Sequence, residues 1–353
     1  MNISIIGAGN GGQAMAGHFS LLGHRIVLYN RSLDKLQKII TNNRIELIGA
    51  INDSTEIHTI TDDIEKAVSG AELIMITTTA NAHKDIAKKI APYVEENQII
   101  VLNPGRTLGA IEFSNELFEN TDKKVYIAEA QSLIYACRAE PDGLVNIIGI
   151  KDKILLSAFP AIDTDFVINK LNNVFNCFVK ARNVLETSLE NIGAIFHPAV
   201  VLFNAAAIER GTSFYFYNDM TPFIAAFLEK LDKERIEIGK SFEINLIPVS
   251  EWVSYAYTNI EGESLCEKMQ NNKAYYKIKA PTELTSRMLT EDVPTGILPL
   301  IELGKLSGLY SPLLTSVFEI TQALLKTDFL EHGRTLSNLK LYNLTKEEFL
   351  KIL

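Results

Sequence analysis

Residues 1–32 read MNISIIGAGNGGQAMAGHFSLLGHRIVLYNRS, and in them GAGNGG stands between a β-branched apolar run and an amphipathic stretch. The run 3–6 has strand length, 12–22 has helical spacing, and 26–29 reads as a second strand. In such a strand–turn–helix unit Gly7 permits the tight turn and Gly9 lets the backbone approach a pyrophosphate. Gly12 allows close helix–strand packing, and the phosphates sit where free N–H groups and the helix dipole favour an anion. Ala8, Asn10 and Gly11 complete the turn. A fortuitous glycine turn would show the same letters, but the βαβ context and the second strand are what a dinucleotide site requires. Strand two ends in Tyr29-Asn30-Arg31-Ser32, without the acid that an NAD-selective site offers to the ribose hydroxyls. Asn30 is expected to bond a ribose oxygen, and Arg31 and Ser32 to hold a 2′-phosphate, which favours NADP(H) over NAD(H). The plain alternative for Arg31 is a solvated surface cation.

Outward from this unit the alternation continues, with strands at 73–77 and 99–102 and helical spacing at 33–40 and 83–93. A doubly wound parallel sheet follows, with its ligand at the carboxyl ends of the strands. The runs 125–129 and 144–150 are expected to extend that sheet, followed by another apolar run at 154–159. Thr78 and Ala80 follow one strand, and Asn103, Pro104 and Gly105 follow the next, which makes them candidate contacts to the nicotinamide ribose. Ordinary turn chemistry accounts for the same residue types. After about residue 185 the pattern turns helical, at 185–210, 221–240, 298–306 and 313–325, while Pro281, Pro294 and Gly296 mark 280–296 as a loop. The expected fold is α/β: an N-terminal Rossmann domain, 1–184, and a mostly α-helical domain, 185–353.

A chain of 353 residues is long enough for two domains, and 47% hydrophobic with 22% charged residues is a globular composition. A net charge of −9 argues against nucleic acid or an anionic membrane as partner. The most apolar window, 193–208, is too short to span a bilayer, and the first residues carry no signal-peptide pattern. Cys137, Cys177 and Cys266 form no CxxC and read as small buried hydrophobes in a reducing compartment. A cytoplasmic protein without a metal site is expected.

Proton transfer near neutral pH points to histidine, and six compete. His18, His24, His58 and His332 fall in polar or terminal settings, and His83 opens a helix near the cofactor crevice. His197 interrupts the apolar helix ENIGAIFHPAVVLFNAAAIE and precedes Pro198, which kinks a helix and frees a carbonyl. A hydrogen-bonded core histidine is the bland alternative. In SRMLTEDVPTG, residues 286–296, Arg287 suits a substrate carboxylate, and Asp292 is placed to orient His197 or to lock Arg287. Helix capping by Thr290 or Asp292 would account for the same letters.

These blocks together resemble the octopine/nopaline (opine) dehydrogenases over nearly the whole chain. The likeness rests on IIGAGNGGQAMAGHF, on LNPGRTLGAIEF at 102–113, on AEAQSLIYACR at 128–138, on NIGAIFHPA around His197, and on RMLTEDVPTGILPL from Arg287. The resemblance implies NAD(P)H-dependent reductive condensation of an amino acid with an α-keto acid such as pyruvate, through an imine, and the reverse. It implies a second domain like the C-terminal domain of 6-phosphogluconate dehydrogenase. Its catalytic set maps onto His197, Arg287 and Asp292 in an interdomain cleft, with Asn191 lining that cleft and Arg287 also binding substrate. The segment TTTANAH, 77–83, departs from the more apolar turn of the family, which bears on the nicotinamide-side contacts. A homodimer is open as an assembly. A ketopantoate-reductase-like, 2-hydroxyacid or sugar-acid dehydrogenase competes, but the lysine such enzymes use is missing from the helix of His197. A non-catalytic NADP(H) sensor is the reading from another class. Aromatics at 214–217 and 252–257 are candidates for a substrate-pocket wall.

Overall fold

The computed structural model describes residues 1–140, 143–256 and 260–353, with the side chains of residues 255 and 256 also outside the description. Two of the aromatics proposed for a pocket wall, Tyr255 by its side chain and Tyr257 entirely, therefore lie outside it. The chain divides into two compact units: Met1–Ser188 joined by Leu353, and Leu189–Ile352.

Among the described residues, the first unit holds every strand. In chain order these are β1 (Asn2–Ile6), β2 (Arg25–Tyr29), β3 (Arg44–Gly49), β4 (Asp53–Glu56), β5 (Thr59–Thr61) and β6 (Leu73–Ile76). They continue with β7 (Ile99–Leu102), β8 (Tyr126–Ala130), β9 (Tyr135–Ala139), β10 (Leu144–Ile150), β11 (Ile154–Phe159) and β12 (Phe178–Lys180). Eight form one sheet in the order β12-β11-β8-β7-β6-β1-β2-β5. From β5 to β8 all neighbours are parallel, with Ile5 of β1 opposite Leu28 of β2 and Met75 of β6. β11 runs antiparallel to β8, and β12 follows β11 in parallel. The chain leaves β1 for β2 and β5 on one side and returns to β6 on the other, so the order reverses between β1 and β6, where such sheets open a ligand crevice.

Strand β10 does not extend this sheet, contrary to the expectation for 144–150. It joins β4-β3-β10-β9, a second sheet, parallel to β3 and antiparallel to β9. The small sheet packs on the helix Asn10–Leu21, whose other side faces β1 and β2. Covered on both sides, that helix is buried at every position from Gly12 to Phe19. The stretch expected as a helix at 33–40 breaks into a 3-10 turn, Asp34–Leu36, and the helix Gln37–Asn42.

The second unit is helical. Its longest helix, Pro222–Ser241, begins with the Thr221 hydroxyl accepting from the Ile224 N–H and packs on Ile192–Phe203, Leu265–Asn271 and Pro312–Leu325. It carries Arg235 fully buried, donating to Asp232 at 2.7 Å and to the carbonyls of Leu189 and Ile247. The expected loop at 280–296 is in part ordered helix. Arg287–Thr290 forms a short helix, and Val293–Ile297 a π-helical turn running directly into Leu298–Leu306. Pro294 does not break it because it lies in the first turn, where its missing N–H has no helical partner to lose. Among the described residues, no helix is long and apolar enough to cross a membrane.

Candidate active site

In the first unit the glycine turn is built from backbone. Gly7 sits at φ +110° and donates its N–H to the Tyr29 carbonyl at 2.9 Å. A Cβ on Gly12 would lie 1.7 Å from the Gly7 oxygen, whereas a Cβ on Gly9 would meet nothing within 4 Å. Gly12 thus lets the helix close on the turn, and the space over Gly9 is open to a ligand backbone. Two buried polar atoms beside this turn, Thr78 Oγ1 and Gln13 Oε1, have no hydrogen-bond partner in the protein. Open space bordered by unsatisfied polar atoms at the strand-order reversal fits a dinucleotide.

Several expected contacts serve the protein itself. The Asn30 amide accepts from Ala8 N–H at 3.1 Å and donates to the Ser32 carbonyl at 2.6 Å, so it holds the turn rather than offering itself whole to a ribose. Ser32 donates its hydroxyl to Asp34 at 2.8 Å, while Arg31 is exposed. Asn10 accepts from the Ala139 N–H, and Gly11 faces the Leu133 side chain. Asn103 is fully buried and bonds Ser132 and Ile134, and Gly105 packs on Glu129. Their side chains and Cα face inward, because the loop after β7 must brace the segment 131–134, and only Pro104 of that trio is partly exposed. Ala80 is buried at the start of a 3-10 turn, and His83 is fully buried behind it.

His18, placed by sequence in a polar setting, is instead buried against the rings of Phe19, Tyr135 and Phe175, with Nδ1 2.9 Å from the Tyr135 hydroxyl. Burial lowers its pKa from 6.5. Lys151 donates to Ser132 Oγ and the Leu133 carbonyl. Burial and then the neighbouring Arg106 push its pKa down to about 8. The three cysteines are free and buried, and desolvation raises Cys137 to about 11 and Cys177 to about 12, far from thiolate chemistry.

In the second unit His197 lies mid-way along the helix Ile192–Phe203, with Pro198 inside it. Its Nδ1 is 2.7 Å from Asp292 Oδ2; the aspartate side chain is 0% exposed and the imidazole 13%. A carboxylate only accepts, so Nδ1 carries the proton and Nε2 faces outward from the pair. Nε2 lies 3.3 Å from the hydroxyl of Tyr217, and Phe216 meets the imidazole edge-on. Asp292 reaches His197 because the turn Val293–Ile297 packs on that helix. A Cβ at Gly296 would come 2.5 Å from Ala194 Cβ, so glycine is what allows the approach. Asn191, the buried N-cap of the helix, borders the same glycine.

Arg287 is not locked by Asp292. It donates to Glu291 at 3.3 Å, one helical turn on, with the arginine side chain 56% exposed and the glutamate buried. The helix Arg287–Thr290 packs on Ile192–Phe203. Sequence reasoning passed over Glu291, although its i+4 spacing from Arg287 was there to read. It also took Tyr217 only as apolar wall, because nothing in the letters shows which ring carries its hydroxyl to His197.

A doubly wound sheet with a glycine turn, followed by a helical unit with a buried His–Asp pair, defines a two-unit nicotinamide-dependent dehydrogenase. A family profile described as NAD/NADP octopine/nopaline dehydrogenase, alpha-helical domain, matches residues 180–325, and one described as NAD-dependent glycerol-3-phosphate dehydrogenase N-terminus matches residues 2–136. The chain is 37% identical to an opine dehydrogenase of Arthrobacter sp. (strain 1C), over 97% of this chain and 96% of that one. It is 24% identical to vitopine synthase of Allorhizobium ampelinum, over 96% and 95%. Among solved structures, octopine dehydrogenase with NADH and L-arginine superposes with a TM-score of 0.77 at 19% identity, covering 97% of this chain and 96% of that one. Yersinopine dehydrogenase with NADP+ bound gives 0.71 at 16% identity, covering 96% and 95%. The chain belongs to the opine dehydrogenase family and is an NAD(P)-dependent oxidoreductase acting on the CH–NH bond.

Proposed function

We propose that this protein joins an amino acid to an α-keto acid, with pyruvate the first candidate, by reductive condensation, and runs the reverse oxidation, with His197 as general acid and base. The carrying observation is the 2.7 Å bond between His197 Nδ1 and the buried Asp292 carboxylate. Loss of water from the first adduct of amine and carbonyl needs a proton on the departing oxygen, and Nε2 is the nitrogen left to give it. Asp292 holds the tautomer and stabilises the imidazolium between transfers. The bound nicotinamide supplies the hydride that turns the imine into a secondary amine. Arg287, steadied by Glu291 yet more than half exposed, takes a substrate carboxylate, and Asn191 lines the same site.

Gly7, Ala8, Gly9, Asn10, Gly11 and Gly12 hold the dinucleotide, with Asn30 shaping the turn from behind and Thr78 offering an unpaired hydroxyl. NADP(H) is preferred over NAD(H), because the exposed turn 31–35 sets the cations Arg31 and Lys35 against the single carboxylate of Asp34. The test follows loss of reduced-nicotinamide absorbance from NADPH and NADH with panels of keto acids and amino acids, for wild type and His197→Ala. Oxidation that needs both acids and falls by about 10²–10⁴-fold in the variant is expected. Cofactor binding with no turnover for any pair would replace this reading with that of a sensor.

A further inference from the structure

Around His197 stand Phe196, Phe216 and Tyr217, of which only Tyr217 carries a hydroxyl. Its ring stacks on Tyr275, with centroids 4.1 Å apart and planes 17° from parallel, and it is 9% exposed. The segment that carries it is braced on three sides. Phe216 N–H donates to the Ile278 carbonyl, Tyr215 N–H to Asp219, and Asn218 both accepts from Lys277 N–H and donates to the Gln270 carbonyl. The hydroxyl lies 3.3 Å from Nε2, the nitrogen that Asp292 leaves facing outward.

Resting on the function proposed above, we infer that Tyr217 is a further catalytic residue: its hydroxyl and His197 Nε2 converge on the keto-acid oxygen and both donate to it while water is lost. The amine nitrogen forms the C–N bond, and the carbonyl π pair moves onto oxygen. That oxygen takes the Nε2 proton of His197, which enters the step as the imidazolium, and the nitrogen returns its surplus proton to the imidazole. The nitrogen lone pair then forms the C=N bond as the C–O bond breaks. The hydroxyl departs as water with the proton Nε2 gives up, leaving a protonated imine and neutral His197. Throughout, Tyr217 keeps its own proton and stabilises the charge gathered on oxygen, the work of an oxyanion donor.

The oxidative direction separates this role from packing, because hydride leaves the secondary amine before any oxygen enters. Stopped-flow mixing of enzyme, oxidised cofactor and the secondary amine that wild type makes reads the first turnover and then the steady rate. In Tyr217→Phe the first-turnover rate is expected to match wild type, while the steady rate falls by about 10²-fold, the usual effect of losing one oxyanion donor. A first-turnover rate that falls with the steady rate, or a steady rate within tenfold of wild type, overturns the inference. If Tyr217→Phe fails to melt cooperatively, 3-fluorotyrosine at 217 keeps the ring and changes only donor strength. It should then move the steady rate alone, and no change in that rate overturns the inference. His197→Ala in the same assay keeps the two proposals apart. A fully active His197→Ala sinks the acid–base assignment itself, whereas an inactive one beside an unaffected Tyr217→Phe sinks only the role of Tyr217.

Discussion

The helices Asn10–Leu21 and Ile192–Phe203 are each twelve residues long, mostly buried, and each carries a histidine. His18 and His197 both face a tyrosine hydroxyl, at 2.9 and 3.3 Å, and both touch a phenylalanine ring. They differ at the other ring nitrogen. His197 meets the Asp292 carboxylate, whereas His18, among the described residues, pairs with a tyrosine hydroxyl and aromatic rings rather than a carboxylate. Burial alone disfavours the charged ring, as at His18, and makes a packing residue of it. A carboxylate stabilises the imidazolium and makes an acid–base residue possible. The first helix does its chemical work elsewhere, through the missing side chains of its opening glycines.

Asp292→Asn should break this distinction most sharply. It leaves the volume unchanged but removes the charge and tautomer control, and kcat is expected to fall by about 10²–10⁴-fold with cofactor affinity unchanged in a fluorescence titration. An equal loss of cofactor affinity would mean that the pair is structural. Gly12→Ala is the counterpart in the first helix. Its Cβ would fall on the Gly7 carbonyl, so cofactor Kd should rise by about 10²-fold, while the melting transition of the second unit stays in place. Gly296→Ala sharpens the contrast, since it disturbs His197 without touching it. A methyl pressed on Ala194 should cost about 1–3 kcal/mol by denaturant titration and lower kcat with KM little changed.

The smallest effect concerns His18, whose folded pKa is held below 6.5 by burial. Above that value both states are neutral and His18 contributes nothing to pH dependence. As pH falls through it, the unfolded chain takes up the proton first and stability drops. His18→Gln should flatten the acid limb of a melting-temperature profile while leaving kcat alone, and a loss of turnover would contradict its assignment to packing.

The glycine turn and the alternation of β1, β2, β6 and β7 were legible because they depend on local spacing. The second sheet was not. Residues 144–150 read correctly as a strand, but which sheet a strand joins depends on the helix it must cover, and that lies more than a hundred residues away. Pro294 and Gly296 read as helix breakers, yet one sits where a proline costs nothing and the other supplies the close approach that seats Asp292. The bond between His197 and Asp292 spans 95 residues. The letters left two partners open for Asp292, and folding gave Arg287 its own, Glu291. Asn103 stands at the expected strand end, and its amide also braces Ser132 and Ile134, a second task that the letters did not show.

The cover that the small sheet lays over Asn10–Leu21 also has a consequence in time. A Rossmann helix with one face in water can fray by itself, whereas this one is clamped between two sheets and can expose its backbone only when unit one opens as a whole. Its amides should then be among the slowest in the protein to exchange with solvent deuterium, at the rate of global opening. The cofactor would meet a turn already in shape, and binding would spend little of its free energy on ordering the chain.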